Sequence, residues 1–373
     1  MAKAKLLYLI AEDRAVLSHR LNLARTARDQ GYDVHIATRT TGVEGALQDE
    51  GFTVHPLRHF RRGKSGNPLR DLRAILELRT LYKRIKPNIV HQVAMKPVLY
   101  GTIAARLAGV PHVINALGGM GYLFISPTLK AKLMRVVVKA GFKALLSHKA
   151  VRLILQNPDD QRTLKSVVKP EKVTLIKGAG VDTNLFTPKP EPKGPTTVVL
   201  VARLLWDKGI GELVEAARIL KAKHVPIRIL IVGDPDPENP ASIPVTTVRA
   251  WEKAGLVEWL GLRHDIAKIY QESHIAVLPS YREGLPKSLL EAAACGKSLI
   301  ATDVPGCREV VQDGKNGILV PAKESKGLAA AIKKLSESKS LREKYGKASR
   351  LRAENEFDAD LINSETLALY IAA

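Results

Sequence analysis

A helix start that could bind phosphate lies in the segment PSYREGLPKSLLEAAACG (279–296). Pro286 suits the first turn of a helix, because a backbone N–H is not needed there for helical hydrogen bonding. The amides of Lys287, Ser288 and Leu289 would then point out of the helix N-terminus. Together with the helix dipole, such amides form a site for a phosphate group.

Two glutamates flank this helix start. Glu291 would lie about 7–8 Å further along the helix axis, which is near the distance between a diphosphate and the hydroxyls of its ribose. Glu283 would lie in the entry loop, beside Gly284 and Leu285, where the sugar at the other end of such a ligand would be. The spacing therefore predicts the two ends of one nucleotide-sugar site and not a hydrolytic pair of carboxylates.

A diphosphate needs countercharge, and the segment VARLLWDKGI offers Arg203 and Lys208 directly after a predicted strand. Basic groups at a strand end can replace a divalent ion in holding a diphosphate leaving group, although a solvated loop is the alternative. Asp234 and Asp236, in GDPDPENP, resemble a D-x-D metal motif. The prolines beside them favour a structured turn, so no metal site is predicted.

Lysine and arginine are concentrated in the first half of the chain. Residues 51–150 contain 18 of them against two acids, Asp71 and Glu77, and no acid occurs from residue 78 to residue 158. A net charge of +21 distributed in this way indicates an anionic partner, which could be a lipid surface, a polyphosphate or a nucleic acid. Solubility alone does not require such a long stretch without acids.

The rest of the composition is that of an ordinary globular protein, with 373 residues of which 45% are hydrophobic. The first apolar run is too short for a signal peptide and is expected to be a buried strand, and no segment is long enough to cross a membrane. Cys295 and Cys307 match no metal or disulfide framework, and Cys295 is expected to pack as a small apolar residue. These features favour a cytoplasmic location.

Apolar, strand-like segments alternate with amphipathic, helix-like segments along both halves of the chain. This alternation predicts α/β domains with parallel sheets, in which ligands bind beyond the carboxyl ends of the strands. The Pro- and Lys-rich segment TPKPEPKGP (187–195) is the best linker candidate. We therefore predict domains at 1–186 and 187–357, with a cleft between them as the active site and a helix at about 358–373 that returns to the first domain.

The second half resembles the donor-binding domain of the GT-B fold glycosyltransferases of family 4. The resemblance covers about 150 residues and rests on KGAGVDTNLFTP (177–188), VARLLWDKGI, VEWLGLRHDI (257–266), the E-x7-E segment and DGKNGILV (313–320). It implies a two-domain GT-B fold of Rossmann-like domains. It also implies sugar transfer with retained anomeric configuration, without a metal or another cofactor, from a nucleotide sugar for which UDP is favoured.

The resemblance also assigns roles to residues of this chain. Arg203 and Lys208 would bind the diphosphate, Glu283 would contact the transferred sugar, and Glu291 would bind the ribose. Leu262 and Arg263 would flank the base. The full set of further donor-binding candidates is Gly233, Leu262, Arg263, Gly284, Leu285, Pro286, Lys287 and Ser288.

The first half departs from the family pattern in two places. No glycine-rich loop follows the first strand, and the histidine that many members carry after a later strand has no counterpart in HVINALGGMGYLF. His19 is expected to open the first helix, where it could touch a substrate, act as a base or simply pack on the surface. The candidates for acceptor or sugar contacts are His19, His91, Lys96, Asn115, Gly118 and Gly119.

These departures resemble the bacterial subgroup that extends lipid-linked or surface oligosaccharides, including transferases that add N-acetylhexosamine to polyprenyl-diphosphate sugars. The implied acceptor is a membrane glycolipid. The segment 126–150 agrees with this, because it is amphipathic and basic and could lie in an anionic headgroup layer, as a peripheral contact with the inner face of the cell membrane. Its candidate membrane residues are Lys130, Lys132, Arg135, Lys139 and Lys143.

Two other classes remain open from the residues alone. A nucleic-acid-binding protein on a Rossmann-like scaffold would explain the charge. It would not explain the function of the E-x7-E helix, and the basic stretch has few aromatic residues for stacking on bases. An epimerase or a phosphorylase on the same fold is the other alternative. The leading prediction is a transferase of a hexose or an N-acetylhexosamine, and no nucleic-acid partner is expected.

Overall fold

The computed structural model describes residues 3–60, 67–119 and 129–372. The chain divides into two compact units, the first made of Met1–Ala179 with Ile362–Ala373 and the second of Gly180–Leu361. Met120, Gly121 and the other residues of 120–128, which include the start of the predicted membrane segment, lie outside the described residues, as do the side chains of Lys130 and Lys132.

The first unit contains a parallel sheet with the strand order β3-β2-β1-β4-β5-β6-β7. Its strands are β1 Lys5–Glu12, β2 Asp33–Arg39, β3 Thr53–Pro56, β4 Ile89–Val93, β5 His112–Leu117, β6 Val151–Leu155 and β7 Val173–Leu175. Its helices are α1 Asp13–His19, α2 Leu21–Asp29, α3 Glu44–Asp49, α4 Pro68–Ile85, α5 Met95–Ala108, α6 Leu129–Leu146 and α7 Pro158–Leu164, with a 3-10 turn at Pro170–Lys172. The strand order reverses between β1 and β4, as in doubly wound nucleotide-binding folds.

Both faces of this sheet are covered, because successive side chains of a strand point to opposite faces. Leu7 and Leu9 of β1 pack in a cluster with α4, α5 and α6, which includes Leu78 and Phe142. Leu6 and Tyr8 pack on the other face, in a cluster with α1, α2 and the C-terminal residues. The strands therefore have continuous apolar runs, as expected for a parallel sheet that is buried on both faces.

The second unit repeats the architecture, with a parallel sheet in the order β10-β9-β8-β11-β12-β13. Its strands are β8 Thr196–Val201, β9 Ile227–Val232, β10 Glu258–Trp259, β11 Ile275–Leu278, β12 Ser298–Thr302 and β13 Gly317–Val320. Its helices are α8 Ile210–Ala222, α9 Val245–Lys253, α10 Ile266–Gln271, α11 Lys287–Ala294, α12 Cys307–Val310, α13 Ser325–Ser336 and α14 Lys339–Glu356, with a 3-10 turn at Trp206–Lys208. Here the order reverses between β8 and β11, whose carboxyl ends carry the predicted site.

The boundary between the units differs from the one predicted at residues 186 and 187, because it lies at residues 179 and 180. The segment after Gly180 belongs to the second unit, since Val181 exchanges backbone hydrogen bonds with Phe357 and Ala359, and Phe186 is buried in a core cluster of that unit. The Pro-rich segment 187–195 therefore lies within the second unit. Cys295 and Cys307 are both free and buried, and they pack in this same cluster.

The last helix, α15 Ala359–Ile371, crosses from the second unit into the first. Within the first unit its Tyr370 hydroxyl lies 3.2 Å from the Tyr8 hydroxyl and 2.5 Å from Nδ1 of His91. The predicted return of the C-terminal helix, placed at about 358–373, corresponds to residues 362–373 in the structure. A buried polar cluster thus attaches the end of the chain to β1 and β4.

We expect this cluster to make the first unit sensitive to acid. Burial lowers the pKa of His91 well below its ordinary value, so the native histidine stays neutral, while the histidine of the unfolded chain binds a proton below pH of about 6.5. The unfolded state then binds more protons, and the stability present above that pH is lost as the pH falls. Replacing His91 by glutamine removes this proton uptake.

Urea unfolding of the wild type and of His91→Gln, monitored at pH 7.5 and at pH 5.5, tests this expectation. On acidification the wild type should lose about 1.4 kcal/mol more unfolding free energy than the variant. An equal loss in both proteins would show that the pKa of His91 is the same in the folded and the unfolded state.

Candidate functional site

The predicted donor residues of the second unit gather at the carboxyl ends of neighbouring parallel strands. Arg203 and Lys208 follow β8, and Glu283 follows β11. Because β8 and β11 are hydrogen-bonded neighbours in the sheet, their following loops emerge side by side. The order reversal of the sheet thus brings together residues that are 75 positions apart in the sequence.

The side chains of Lys208 and Glu283 form an ion pair in which Nζ lies 2.5 Å from Oε1. Both side chains are largely buried, with 20% and 13% of their surface exposed. Their loops also touch through the backbone, since the amide of Tyr281 donates to the carbonyl oxygen of Asp207 at 2.9 Å. One cation and one carboxylate are therefore held together at the switch point of the sheet.

Arg203 is paired with Asp236, the second acid of the D-x-D motif. The motif is folded as a turn, because the amide of Asp236 donates to Oγ of Ser242 at 3.0 Å and the amide of Leu204 donates to the carbonyl oxygen of Asp234 at 2.9 Å. Among the residues that the structure describes, no group of three His, Cys, Asp or Glu side chains could hold a metal ion. Asp236 thus orients an arginine.

Two glycines let these loops approach one another more closely than other residues could. Gly209 has a φ of 71°, and a Cβ there would lie 2.0 Å from the carbonyl oxygen of Pro279. Gly306 has a φ of 82°, and a Cβ there would lie 2.5 Å from the carbonyl oxygen of Gly284. Both positions need glycine for space and for backbone conformation, and both fix the loop that carries Glu283.

The helix predicted after this loop is α11, and it begins one residue later than expected. Pro286 is the N-cap, with an extended backbone at φ −74° and ψ 109°, and Lys287 is the first helical residue. The amide of Leu289 donates to the carbonyl oxygen of Pro286 at 3.0 Å, so it is used inside the first turn and the prediction that it is free was wrong. Ser288 keeps its place in the first turn, and its amide precedes the first amide that has an acceptor at the helix start.

Glu291 lies on the inner side of α11 and is buried. Its carboxylate Oε1 lies 3.1 Å from Nζ of Lys287, one turn earlier. Burial raises the pKa of the Glu291 carboxyl above its ordinary value, against the opposing effect of Lys287. The Glu291 carboxylate is thus held on the buried side of α11, one turn from Lys287.

The remaining donor candidates lie on the loops after β9 and β10. Gly233 follows β9, where its amide donates to the carbonyl oxygen of Gly261 and its carbonyl oxygen accepts from Nε1 of Trp259, both at 2.8 Å. Leu262 is exposed, and the guanidinium of Arg263 is bound to both carboxylate oxygens of Asp265. Gly233 therefore has a structural role, whereas Leu262 presents an apolar side chain to solvent.

Sequence reasoning missed three features of this site. Ser280 is the second residue after β11, and its buried Oγ has no hydrogen-bond partner among the described residues. Its position at the strand end was the available signal. The packing of Gly209 and Gly306 against neighbouring loops and the partnership of Arg203 with Asp236 depend on long-range contacts, for which the sequence offers no local signal.

Two of the candidates in the first unit are core residues and need correction. His91 lies in the interior of β4, is 1% exposed and packs between Tyr8 and Tyr370. Asn115 lies inside β5, is fully buried and donates to Oγ1 of Thr102 at 3.1 Å. Their strands continue beyond them, so neither side chain lies at the strand end where a substrate contact was expected.

The other first-unit candidates lie nearer to the ends of elements. His19 is exposed and is the last residue of α1, not the opening residue of a helix, and Nδ1 of its ring lies 2.6 Å from Oγ of Ser18. Lys96 lies in the first turn of α5, where Nζ is 3.8 Å from Asp71 and 5.3 Å from the ring centre of Tyr100. Gly118 and Gly119 directly follow β5.

The predicted membrane segment contains α6, which packs on the sheet through Phe142 and Leu146. Lys143 is exposed, and Arg135 and Lys139 are half-buried. No helix in the described part of the chain is long and apolar enough to cross a membrane.

Comparisons with known proteins identify the family and the fold of the chain. The family model described as glycosyl transferases group 1 matches residues 181–352, and the model described as glycosyl transferase 4-like matches residues 5–157. A galactosyltransferase of Escherichia coli, named UDP-Gal:alpha-D-GlcNAc-diphosphoundecaprenol alpha-1,3-galactosyltransferase, is 29% identical over 73% of this chain and 72% of its own. The solved structure of HepE from Anabaena in complex with UDP and glucose has a TM-score of 0.79 at 19% identity, covering 99% of this chain and 100% of that one, so the fold is GT-B.

A second relative is similar over nearly its whole length. It is the N,N'-diacetylbacillosaminyl-diphospho-undecaprenol alpha-1,3-N-acetylgalactosaminyltransferase of Campylobacter jejuni, which is 30% identical over 95% of each chain. This identity over nearly the whole chain, together with the two family models, shows that the chain belongs to the family of glycosyltransferases that carry a 4-like first domain and a group 1 second domain.

Proposed function

We propose that this glycosyltransferase moves a hexose or an N-acetylhexosamine from a UDP-sugar to a polyprenyl-diphosphate-linked saccharide at a membrane surface, with retention and without a metal. The observation that carries the proposal is the arrangement at the switch point of the second unit. Lys208 and Glu283 are joined there, and α11 begins four residues after Glu283 with Glu291 one turn further on.

This arrangement fits a nucleotide sugar whose diphosphate lies at the start of α11. The first-turn amides and the positive end of the helix dipole favour an anion at that place. Arg203 and Lys208, held by their carboxylate partners, would offset the charge that develops on the diphosphate as the bond between the sugar and phosphate breaks. Glu291 would accept hydrogen bonds from the ribose, and Glu283 would bind hydroxyls of the transferred sugar.

The acceptor is proposed from the relatives and from the charge of the first unit. Both relatives described above carry names in which the acceptor is a sugar linked to undecaprenol through a diphosphate. Such an acceptor resides in a bilayer and carries anionic phosphates, which suits the acid-poor stretch of residues 51–150. Basic α6, with Arg135, Lys139 and Lys143, is the proposed contact with the headgroups.

Release of nucleoside diphosphate from a panel of sugar nucleotides, measured with and without an undecaprenyl-diphosphate-linked saccharide, tests this function. We expect one UDP-hexose or UDP-N-acetylhexosamine to be turned over, and only when the lipid acceptor is present. If no donor is turned over while RNA binds with a steep dependence on salt, the proposal is wrong.

We expect Arg203→Ala and Lys208→Ala to lower kcat by about 100- to 1000-fold, because each removes charge stabilisation of the leaving diphosphate. Steady-state kinetics with the donor that proves active measures this. Arg228→Ala is a matched control, since it also removes a basic partner of a glutamate, Glu258, but from an exposed pair. A Lys208→Ala enzyme with the full rate would rule out the proposed role.

We expect Glu291→Ala to raise the Kd of the donor by about 10- to 100-fold, because hydrogen bonds to a charged carboxylate are lost. Isothermal titration with the UDP-sugar measures the affinity, and Glu215→Ala, on the exposed side of α8, is the control. An unchanged Kd would place the ribose elsewhere.

We expect turnover to be unaffected by EDTA. The reason is that Arg203 and Lys208 supply the countercharge, and Asp236 is occupied by Arg203. The assay compares dialysed enzyme with and without the chelator. A loss of activity that Mg²⁺ or Mn²⁺ restores would contradict metal-independent transfer.

A further inference from the structure

Helix α4 carries leucine side chains on its outer face. Leu69, Leu72 and Leu76 are 68%, 52% and 47% exposed, and their spacing of three and four residues places them on one side of the helix. The opposite side is buried in the core through residues that include Ala74 and Leu78. The helix therefore has two apolar stripes, one that packs on the sheet and a second one that is exposed.

The exposed stripe belongs to a well-formed helix start. Oδ1 of Asn67 accepts hydrogen bonds from the amides of Leu69 at 3.0 Å and Arg70 at 3.3 Å, and Pro68 is the first helical residue. A capped start with proline in the first turn is a stable one. The leucines are thus held in place on the outer face.

The charges of α4 complement an anionic surface. The helix contains five basic residues and two acids, and both acids are used within the first unit. The carboxylate of Glu77 accepts from the amides of Arg58 at 2.8 Å and His59 at 2.9 Å, and Asp71 lies 3.8 Å from Nζ of Lys96. Exposed cations on α4 remain beside the leucines, namely Arg70, Arg73, Lys83 and Arg84.

Helix α4 lies on the same side of the sheet as basic α6. The two helices share one core cluster with α5, which packs against both. On α6, Val136 is also exposed, at 66%. Exposed apolar side chains with neighbouring cations therefore occur on two helices that cover one face of the sheet.

We propose that the outer face of α4, formed by Leu69, Leu72 and Leu76 with Arg70 and Arg73, docks on an anionic lipid bilayer by inserting its leucines among the headgroups. The inference rests on the proposed action at a membrane surface and adds a specific insertion site to it. Apolar side chains that enter the interface, with cations near anionic lipids, are the features of an interfacial helix. A second copy of the chain is a poorer occupant, because it would place the same cations against one another.

Vesicle sedimentation of the full-length protein tests the proposal without relying on turnover. The variant Leu69→Ser/Leu72→Ser/Leu76→Ser should bind vesicles of phosphatidylcholine and phosphatidylglycerol at least about tenfold more weakly than the wild type. The matched control is Leu185→Ser/Val245→Ser/Leu351→Ser, which removes exposed apolar side chains of the second unit and should bind like the wild type. Arg70→Gln/Arg73→Gln should weaken binding to the anionic vesicles but not to phosphatidylcholine alone.

Two further measurements separate this proposal from the proposed function. Turnover of a detergent-solubilised acceptor should be the same in the leucine variant and the wild type, because α4 is not assigned to the chemistry. If vesicle binding is lost only in Lys139→Gln/Lys143→Gln of α6 and persists in the leucine variant, docking by α4 is overturned. It is also overturned if the leucines hold a dimer, so that the variant becomes monomeric in solution while its vesicle binding is unchanged.

Discussion

The ion pair between Lys208 and Glu283 is the contact on which the candidate site depends. It joins the loops that follow β8 and β11, the two strands between which the order of the second sheet reverses. A parallel sheet brings these loops to the same edge, and Gly209 and Gly306 allow the backbones to touch. The start of α11 is fixed by the same loop, so the position proposed for the diphosphate follows from this contact.

Charge is distributed differently at the donor site and on the acid-poor half of the chain. In the second unit the cations assigned to the diphosphate are paired, Arg203 with Asp236 and Lys208 with Glu283. Pairing orients a cation and limits its attraction for anions in general. In residues 51–150 the two acids are used in internal contacts, which leaves exposed cations to attract an anionic surface over a longer range.

Much of this organisation was predictable from the sequence. The alternation of apolar runs and amphipathic segments predicted two parallel-sheet α/β domains, and the strand-end positions of Arg203, Lys208 and Glu283 followed from it. The family resemblance is confirmed by the comparisons. Local signals were sufficient here because proline and glycine indicate the loops that follow the strands.

Other features depend on contacts that no local pattern records. A strand buried on both faces is usually an apolar run. Polar residues such as His91 and Asn115 therefore did not stand out as core residues of their strands. The pairing of Arg203 with Asp236 spans 33 positions, and the unit boundary depends on the pairing of Val181 with Ala359. The exposure of the leucines of α4 depends on which side of the helix packs on the sheet, and the sequence alone does not specify that side.

The proposed donor site is tested most directly by a crystal structure of the protein with its UDP-sugar bound. We expect the diphosphate to lie at the N-terminus of α11 within hydrogen-bonding distance of Lys208, with the ribose hydroxyls on Glu291 and the sugar beside Glu283. A diphosphate bound elsewhere, or held by a metal ion on Asp234 and Asp236, would contradict it.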